Sequence, residues 1–135
     1  MEQHKILIAD DDVAISRMVR RFLEQAGYQV TSASDGAEAW AAVQREKPDL
    51  VVLDVAMPRM TGWEVLSHIR DHDELRGLPV LMLTALDTDA DVTRGWVLGA
   101  DFYLPKPFRG EELVEVVRRL LLGERSEEAT GGESA

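Results

Sequence analysis

A continuous apolar run near the middle of the chain ends in a single carboxylate, and this feature most constrains the fold. Leu50–Leu53 is a run of branched apolar residues, and Asp54 follows it directly. Such a run is typical of a strand buried on both faces, as in a parallel sheet covered by helices. Pro58 cannot donate a ladder hydrogen bond and disfavours helix at Met57, so the strand gives way to a loop. Asp54 is therefore predicted to lie at the carboxyl edge of the sheet, where ligands bind in open parallel sheets.

Four further strands and five helices are predicted from the apolar pattern. The further strands are Ile6–Ala9, Tyr28–Ala33, Val80–Thr84 and Phe102–Leu104. Apolar residues at helical spacing follow four of the strands, at Ile15 to Ala26, at Ala37, Trp40, Ala41 and Val43, at Val65 to Ile69, and at Leu113 to Leu121. A further helix is predicted over Thr88 to Leu98, although its β-branched residues and Gly95 lower the helix propensity. Because strands and helices alternate with short connections, the predicted fold is α/β, a doubly wound five-stranded parallel sheet with helices on both faces.

The composition is that of one acidic domain without cysteine. The 135 residues are 45% hydrophobic, and the formal net charge is -10. An acidic surface opposes binding to nucleic acid or anionic lipid, since affinity for phosphate backbones comes mostly from Lys and Arg. The absence of cysteine excludes disulfides and agrees with a reducing cytosol. Ile6–Ala9 is too short for a signal peptide or a membrane span, so a cytoplasmic protein without membrane contact is expected.

The last part of the chain differs in composition from the rest. From Gly123 onward no apolar residue larger than alanine occurs. Such a segment cannot bury enough apolar surface to offset the entropy that is lost on ordering. We therefore expect one domain over residues 1–122 and a disordered acidic tail or linker over residues 123–135.

Polar residues stand at the predicted carboxyl ends of four strands. Asp10–Asp12 end the first strand, Asp54 the third and Thr84 the fourth, and Lys106 follows the fifth. Because the ends of parallel strands share one edge, we expect these side chains in one pocket. Carboxylates this close repel one another and need a cation, and Mg²⁺ typically takes one or two protein carboxylates together with phosphate oxygens. The pattern indicates a phosphoryl site with Asp54 as the nucleophile and with Lys106 and Thr84 at the phosphoryl oxygens.

Four segments of the chain, in their order, spacing and strand context, resemble the signature of the response-regulator receiver domain of two-component signalling. They are Ala9–Asp12, Asp54–Pro58 with Gly62, Thr84-Ala85, and Tyr103–Phe108. The resemblance covers roughly residues 4 to 122. It implies a flavodoxin-like fold with the strand order 2-1-3-4-5, as in single-domain receivers of the chemotaxis type.

The resemblance also implies a role for each residue of the pocket. Asp54 would accept a phosphoryl group from a phosphohistidine on a sensor histidine kinase or on a phosphotransfer protein. The implied Mg²⁺ ligands are Asp10, Asp11, Asp54 and the backbone carbonyl of Ala56. Thr84 and Lys106 would contact the phosphoryl group, and the Lys106-Pro107 peptide is expected to be cis, which costs little only before proline. The domain would be a switch that catalyses only its own phosphorylation and dephosphorylation, and not an enzyme acting on other substrates.

Tyr103 matches the family's switch aromatic, whose ring turns inward when the threonine hydroxyl is drawn toward the phosphate. The implied result is a change in the face formed by the fourth helix, the fifth strand and the fifth helix, through which the domain would contact a downstream protein target. Phosphorylation-dependent homodimerisation through this face is left open, as is the alternative that Tyr103 is an ordinary strand aromatic. The switch would be a shift between two pre-existing states.

Several alternatives are weighed against this hypothesis. A Mg²⁺-dependent aspartyl phosphatase of the haloacid-dehalogenase type needs a second Asp two residues after the nucleophile, where this chain has Ala56. A flavodoxin-type cofactor protein needs glycines and hydroxyls after the first strand, where three aspartates stand instead. Within the family, a stand-alone receiver is favoured over the receiver portion of a longer regulator with an output domain. The complete site argues against a degenerate receiver that never takes phosphate.

Other conspicuous residues have structural interpretations. Asp12 is predicted to cap the first helix. His68 and His72 are four residues apart, but no third metal ligand is evident nearby, so they are predicted to face solvent. The tryptophans divide into a predicted core residue, Trp40, and two that are left open between core and partner contact, Trp63 and Trp96.

The lifetime of the phosphorylated state is predicted from two positions. In the family, the residues two after the acceptor Asp and two after the Thr flank the path of the hydrolytic water. In this chain they are Ala56 and Leu86. Neither side chain can orient a water molecule, so slow self-dephosphorylation is predicted.

Overall fold

The chain folds into a five-stranded sheet flanked by helices, and the structure, a computed structural model, describes residues 3–85 and 99–124. The strands are β1 (Lys5–Ala9), β2 (Gln29–Ala33), β3 (Leu50–Asp54), β4 (Val80–Thr84) and β5 (Phe102–Pro105). The helices are α1 (Val13–Gln25), α2 (Gly36–Glu46), α3 (Gly62–Asp71) and the C-terminal helix (Gly110–Leu121). A short 3-10 helix at Asp73–Leu75, which the apolar pattern does not predict, follows α3.

All five strands are parallel and lie in the order β2-β1-β3-β4-β5. The flavodoxin-like topology expected from the sequence is therefore confirmed. In the register of the sheet, Asp54 lies opposite Leu83, and Thr84 lies opposite Pro105. The carboxyl ends of these strands thus meet at one edge. The predicted helix from Thr88 to Leu98, which includes Trp96, lies outside the described residues, as do Leu86 and the predicted tail beyond Glu124.

The sheet is buried on both faces because its side chains alternate between two apolar layers. One layer joins the sheet to α2 and α3, and its strand residues include Leu7, Val51, Leu53 and Met82. The other joins the sheet to α1 and the C-terminal helix, and its strand residues include Ile6, Leu50, Val52 and Leu81. The continuous apolar run of β3 follows from this cover, since every residue of the strand is buried.

Side-chain caps determine where the helices after β1 and β3 begin, as a third cap, Asp35, does for α2. The Asp12 carboxylate accepts hydrogen bonds from the backbone N–H groups of Ala14 at 2.9 Å and Ile15 at 3.2 Å, so the predicted cap of α1 is confirmed. Thr61 and Glu64 form a reciprocal capping box at the start of α3. These caps fix the helix starts that follow β1 and β3, at the edge of the sheet that carries Asp54.

The buried face of α2 differs from the prediction. Ala37 and Ala41, which were expected on the apolar face, are exposed. The residues that face the core are Gly36, Ala39, Ala42 and Val43. An alanine-rich helix has little contrast between its faces, so packing against the sheet decides its rotation and the apolar pattern alone does not.

The start of α3 lies directly against the end of β3. The Gly62 N–H donates to the Val55 carbonyl at 2.9 Å. A Cβ at Gly62 would collide with the backbone carbonyl of Asp54, so a residue without a side chain is required for this close approach. Among the described residues, no helix combines the length and the apolar character that crossing a membrane requires.

Candidate functional site

Three of the predicted site residues are buried side by side at the carboxyl edge of the sheet. Asp10 follows β1, Asp54 ends β3 and Thr84 ends β4, with only 3%, 5% and 1% of their surfaces exposed. Asp11 is exposed beside them. Carboxylate oxygens of Asp10, Asp11 and Asp54 all lie within 4.8 Å of one another. The structure thus brings together the acidic cluster that the sequence predicts.

Lys106 supplies the positive charge of the site. Its ammonium nitrogen Nζ lies 3.1 Å from Asp10 Oδ2 and 3.2 Å from Asp54 Oδ1. Its backbone N–H donates to the Thr84 carbonyl at 2.7 Å, and the predicted cis peptide between Lys106 and Pro107 is present. Burial lowers the pKa of Lys106, but the carboxylates of Asp54 and Asp10 outweigh this effect and raise the pKa above its ordinary value. Lys106 therefore stays charged between the two acids.

Among the residues that the structure describes, negative charge nevertheless remains in excess around Asp54. Burial raises the pKa of the Asp54 carboxyl, and repulsion by Asp10 and Asp11 adds to this increase. Lys106 opposes both effects but does not cancel them, so the pKa of Asp54 rises to about 6. Three clustered carboxylates with one ammonium suit a hard divalent cation, because Mg²⁺ prefers oxygen ligands and would neutralise the remaining charge.

The three consecutive aspartates after β1 have separate environments. Asp10 is buried, and its Oδ1 accepts the N–H of Asp12 at 2.9 Å while its Oδ2 accepts from Lys106. Asp12 caps α1, and its side chain is turned to the helix. Asp11 lies between them and is exposed at the rim of the acidic cluster. Only Asp10 and Asp11 of the run thus contribute to the cluster.

Tyr103 is turned into the protein. It is 8% exposed, and its ring is stacked on that of Trp63, with ring centroids 6.5 Å apart and planes inclined by 17°. Trp63 is 5% exposed, so the question that the sequence left open between core and partner contact is decided in favour of the core. The predicted Mg²⁺ ligand residue Ala56 is exposed in the loop after β3.

Of the two histidines near the end of α3, one differs from the prediction. His72 is exposed, as predicted, but His68 is partly buried because its ring stacks on Trp40 at 5.1 Å with planes 21° apart. The His72 ring meets the same indole edge-on at 5.0 Å. Trp40 is itself partly buried and packs against the apolar layer of α2 and α3, in agreement with the prediction.

A second charged cluster, which the sequence did not reveal, lies where α3 ends. Arg70 donates to Asp101 Oδ2 at 2.9 Å and to the carbonyls of Gly99 at 2.9 Å and Leu78 at 2.7 Å. Asp101 Oδ2 also accepts the Val80 N–H at 2.8 Å. No short motif signals a pair separated by 31 residues. The burial of an Asp directly before a strand becomes evident only when the sheet is assembled.

Residues 6–118 match the model of a protein family described as the response regulator receiver domain. The chain belongs to this family, whose members are signalling proteins of two-component systems and not classical enzymes. A receiver domain typically binds Mg²⁺ at an acidic cluster, and this chain has one in Asp10, Asp11 and Asp54.

Similar proteins and solved structures support this family assignment. Response regulator MprA of Mycobacterium leprae is 45% identical over 125 residues, which are 93% of this chain and 54% of MprA. The chain spans about half the length of the curated relatives it matches. The chemotaxis response regulator CheY4 of Vibrio cholerae is 37% identical with a TM-score of 0.82, covering 87% of this chain and 98% of CheY4. The Mn²⁺-bound form of response regulator Rcp1 is 30% identical with a TM-score of 0.74, covering 84% of this chain and 88% of Rcp1.

Proposed function

We propose that this domain is a phosphorylation-activated switch in which Asp54 accepts a phosphoryl group from a histidine kinase or a phosphotransfer protein. The observation that carries the proposal is the position of the buried Asp54 carboxylate, 3.2 Å from the ammonium of Lys106 and within reach of Asp10 and Asp11. A carboxylate is a suitable covalent acceptor, and the surrounding charges suit a phosphoryl group more than a neutral substrate.

The transfer is a displacement at phosphorus. A carboxylate oxygen of Asp54 forms the new P–O bond while the P–N bond of the donor phosphohistidine breaks. The electron pair of the broken bond leaves with the imidazole nitrogen, which the donor site or solvent then protonates. Lys106 would contact one equatorial oxygen through its ammonium and Thr84 another through its hydroxyl, so the chain mainly positions the group and stabilises its charge.

Mg²⁺ is the proposed cofactor, held by Asp10, Asp11, Asp54 and the backbone carbonyl of Ala56. When bound, Mg²⁺ supplies positive charge to the carboxylates and to the oxygens of the incoming group. Burial raises the pKa of Asp54, and the further rise caused by the negative charge of Asp10 and Asp11 supports this proposal. The fact that the related regulator Rcp1 has been crystallised with Mn²⁺, another hard divalent ion, agrees with it.

The output of the switch would be carried by Tyr103 and the face around β5. Thr84 and Tyr103 lie at the end and in the middle of adjacent strands, so a movement of the hydroxyl toward phosphate has a short path to the ring. The proposed partner is a downstream protein target, and phosphorylation-dependent homodimerisation is a further possibility for the same face. Ala56 beside the site supports slow self-dephosphorylation, because a methyl group cannot orient a water molecule.

A further proposal concerns the boundaries of the receiver domain. We propose that residues 1–122 form the receiver domain and that residues 123–135 are a tail or linker. The end of the C-terminal helix at Leu121 supports this boundary. Limited proteolysis should cut after residue 122 and leave the rest intact; cleavage within β1 to β5 at the same rate would contradict the boundary.

Intact-mass spectrometry after incubation with acetyl phosphate and Mg²⁺ tests the central proposal. The wild-type protein should gain one phosphoryl group, and Asp54→Asn should gain none because the nucleophile is removed. Asp12→Asn is the matched control, since it removes a charge from the same acidic run but keeps a side chain that caps α1. Full labelling of Asp54→Asn would refute the role of Asp54 as the acceptor. Undiminished labelling of the wild type when excess EDTA is present during the incubation would refute the role of Mg²⁺.

An aspartyl phosphatase that turns over small phosphate esters remains the alternative from another class. The structure of the site favours the switch, because Ala56 offers no acid for the leaving group. Steady release of inorganic phosphate from para-nitrophenyl phosphate, lost in Asp54→Asn, would favour the phosphatase instead. A longer regulator with an output domain is consistent with the length of the curated relatives and would use the same site.

A further inference from the structure

Trp63 and Tyr103 form a buried aromatic pair between α3 and β5. Their ring centroids are 6.5 Å apart, and the planes are inclined by only 17°. Both residues are almost fully buried. Stacked aromatic rings attract one another beyond what their buried area contributes. The inward position of Tyr103 therefore has a specific partner in addition to general apolar cover.

The backbone on either side of Trp63 is held at the end of β3. Gly62 donates its N–H to the carbonyl of Val55, the residue after Asp54, and its Cα lies against the Asp54 carbonyl. On the other side, Glu64 is locked to Thr61 by the capping box. The indole of Trp63 thus belongs to a helix start whose backbone contacts the end of β3, next to the proposed phosphoryl acceptor Asp54.

The surroundings of Tyr103 place the ring in the same layer. Its partner across the sheet is Met82 of β4, and both belong to the apolar layer that contains Trp63. Phe102 and Leu104, the neighbours of Tyr103 along β5, belong to the opposite layer. An inward Tyr103 ring therefore lies on the side of the sheet where Trp63 is fixed.

We propose that Trp63 is a positioning residue of the switch: it holds the Tyr103 ring inward and so sets the ratio of inward to outward rings. This inference rests on the proposed function, because the inward ring is the position that phosphorylation of Asp54 is proposed to favour. Loss of the indole leaves the acceptor site in place but shifts the ring outward, so phosphorylation has to work against a less favourable ratio.

The experiment is ¹⁹F NMR of protein labelled with 3-fluorotyrosine. The chain contains two tyrosines, so two signals are expected, and Tyr28→Phe identifies that of Tyr103. Spectra are recorded before and after acetyl phosphate and Mg²⁺. In Trp63→Leu the ratio of inward to outward Tyr103 should fall roughly two- to tenfold, the range expected for the loss of one aromatic stack. Trp63→Phe should restore most of it, since a smaller ring still stacks.

Trp40→Leu is the matched control. Trp40 is an aromatic residue of the same α2 and α3 layer, but its ring stacks on His68 and meets His72 edge-on. The Tyr103 signal should be the same in Trp40→Leu as in the wild type. An unchanged signal in Trp63→Leu, or an equal displacement in Trp40→Leu, would overturn the role of Trp63.

A reciprocal variant covers the case in which Trp63→Leu does not fold. In a Trp40→Phe and Trp96→Phe background, Trp63 is the remaining tryptophan of the chain. Adding Tyr103→Leu should shift its emission to longer wavelength because the indole loses its cover; an unchanged emission would contradict the pairing. Mass spectrometry separates the two hypotheses. A wild type that never gains a phosphoryl group refutes the proposed function, whereas a labelled wild type with an unaltered Trp63→Leu spectrum refutes only the positioning role.

Discussion

Two charged clusters of this domain are built from the same kinds of groups but differ in charge balance. At the end of α3, the guanidinium of Arg70 donates to the carboxylate of Asp101 and to the backbone carbonyls of Gly99, Arg76 and Leu78. At the carboxyl edge of the sheet, one ammonium, Lys106, is shared between two buried carboxylates, Asp10 and Asp54. A third carboxylate, Asp11, lies within the same 4.8 Å.

The difference indicates which cluster holds the fold together and which is prepared to bind. A buried ion pair with good hydrogen bonds needs no ligand to compensate its charges. Removal of one partner lowers stability, because it leaves a buried charge without that compensation. At the acidic cluster, burial together with the negative charge of Asp10 and Asp11 raises the pKa of Asp54 to about 6, and Lys106 does not cancel these effects. The folded protein should therefore become more stable when a proton, a cation or a substitution removes part of that negative charge.

The largest expected effect on stability is that of a substitution in the cluster of Arg70 and Asp101. Arg70→Met removes an ion pair from the buried Asp101 and should lower the free energy of unfolding by about 3–5 kcal/mol, measured by urea denaturation. Arg118→Met is the control, since Arg118 forms an exposed pair with Glu115 and its loss should change little. A loss for Arg70→Met no larger than that for Arg118→Met would show that this cluster does not stabilise the fold.

Removal of charge from the acidic cluster should have the opposite sign. In EDTA at pH 8, Asp54→Asn should raise the free energy of unfolding by about 2 kcal/mol. This figure follows from the rise in the pKa of Asp54 from 3.8 to about 6 and is reduced to allow for solvent screening. Asp12→Asn, an exposed neighbour, should leave stability nearly unchanged. If Asp54→Asn is as unstable as Arg70→Met, the contrast between the two clusters is wrong.

The advantage of Asp54→Asn should depend on pH. Because the pKa of Asp54 is 3.8 when unfolded and about 6 when folded, the folded protein binds this proton more tightly. The wild type therefore gains stability relative to Asp54→Asn as pH falls through 6 toward 4, and loses it as pH rises. Denaturation of both proteins at several pH values in EDTA measures this difference. A gap that stays constant from pH 8 to pH 4 would show that the charge of Asp54 is not its cause.

The smallest expected effect is that of Mg²⁺ on stability. At about ten times its dissociation constant, Mg²⁺ should raise the unfolding free energy of the wild type by about 1.4 kcal/mol, detected as a higher Tm. Asp11→Asn should need a higher Mg²⁺ concentration for the same rise, because it removes a proposed ligand. Arg70→Met should show the same Mg²⁺ increment as the wild type, since its defect is remote from the acidic cluster. Equal Mg²⁺ responses of the wild type and Asp11→Asn would contradict the ligand role of Asp11.

The strands and most of the acidic site could be predicted because each rests on a local pattern. A buried parallel strand needs an unbroken apolar run, and β3 and β4 have one. The polar residues that follow the strands must then lie at one edge, so Asp10, Asp54 and Thr84 could be grouped before any contact was known. The cap formed by Asp12 was predicted in the same way and is present. The cis peptide before Pro107, which the family resemblance implied, is also present.

Other features could not be predicted because no local pattern encodes them. The sequence placed Ala37 and Ala41 on the buried face of α2, whereas the sheet selects Ala39 and Ala42. His68 was expected to face solvent, but its position one turn from the end of α3 brings it against Trp40 on the neighbouring helix. These outcomes depend on how helices rotate when they pack, which similar side chains on several faces leave undetermined.

The sequence by itself determined the order of the elements, the edge at which the site lies and the chemical groups that form it, since apolar period and strand-end chemistry are local properties. Tertiary structure alone decided how charge is balanced and which aromatic rings meet. Arg70 pairs with Asp101 across 31 residues, and Trp63 stacks on Tyr103 only when α3 packs against the sheet. Distances between residues remote in the chain set burial and electrostatic energy, and only the assembled sheet fixes those distances.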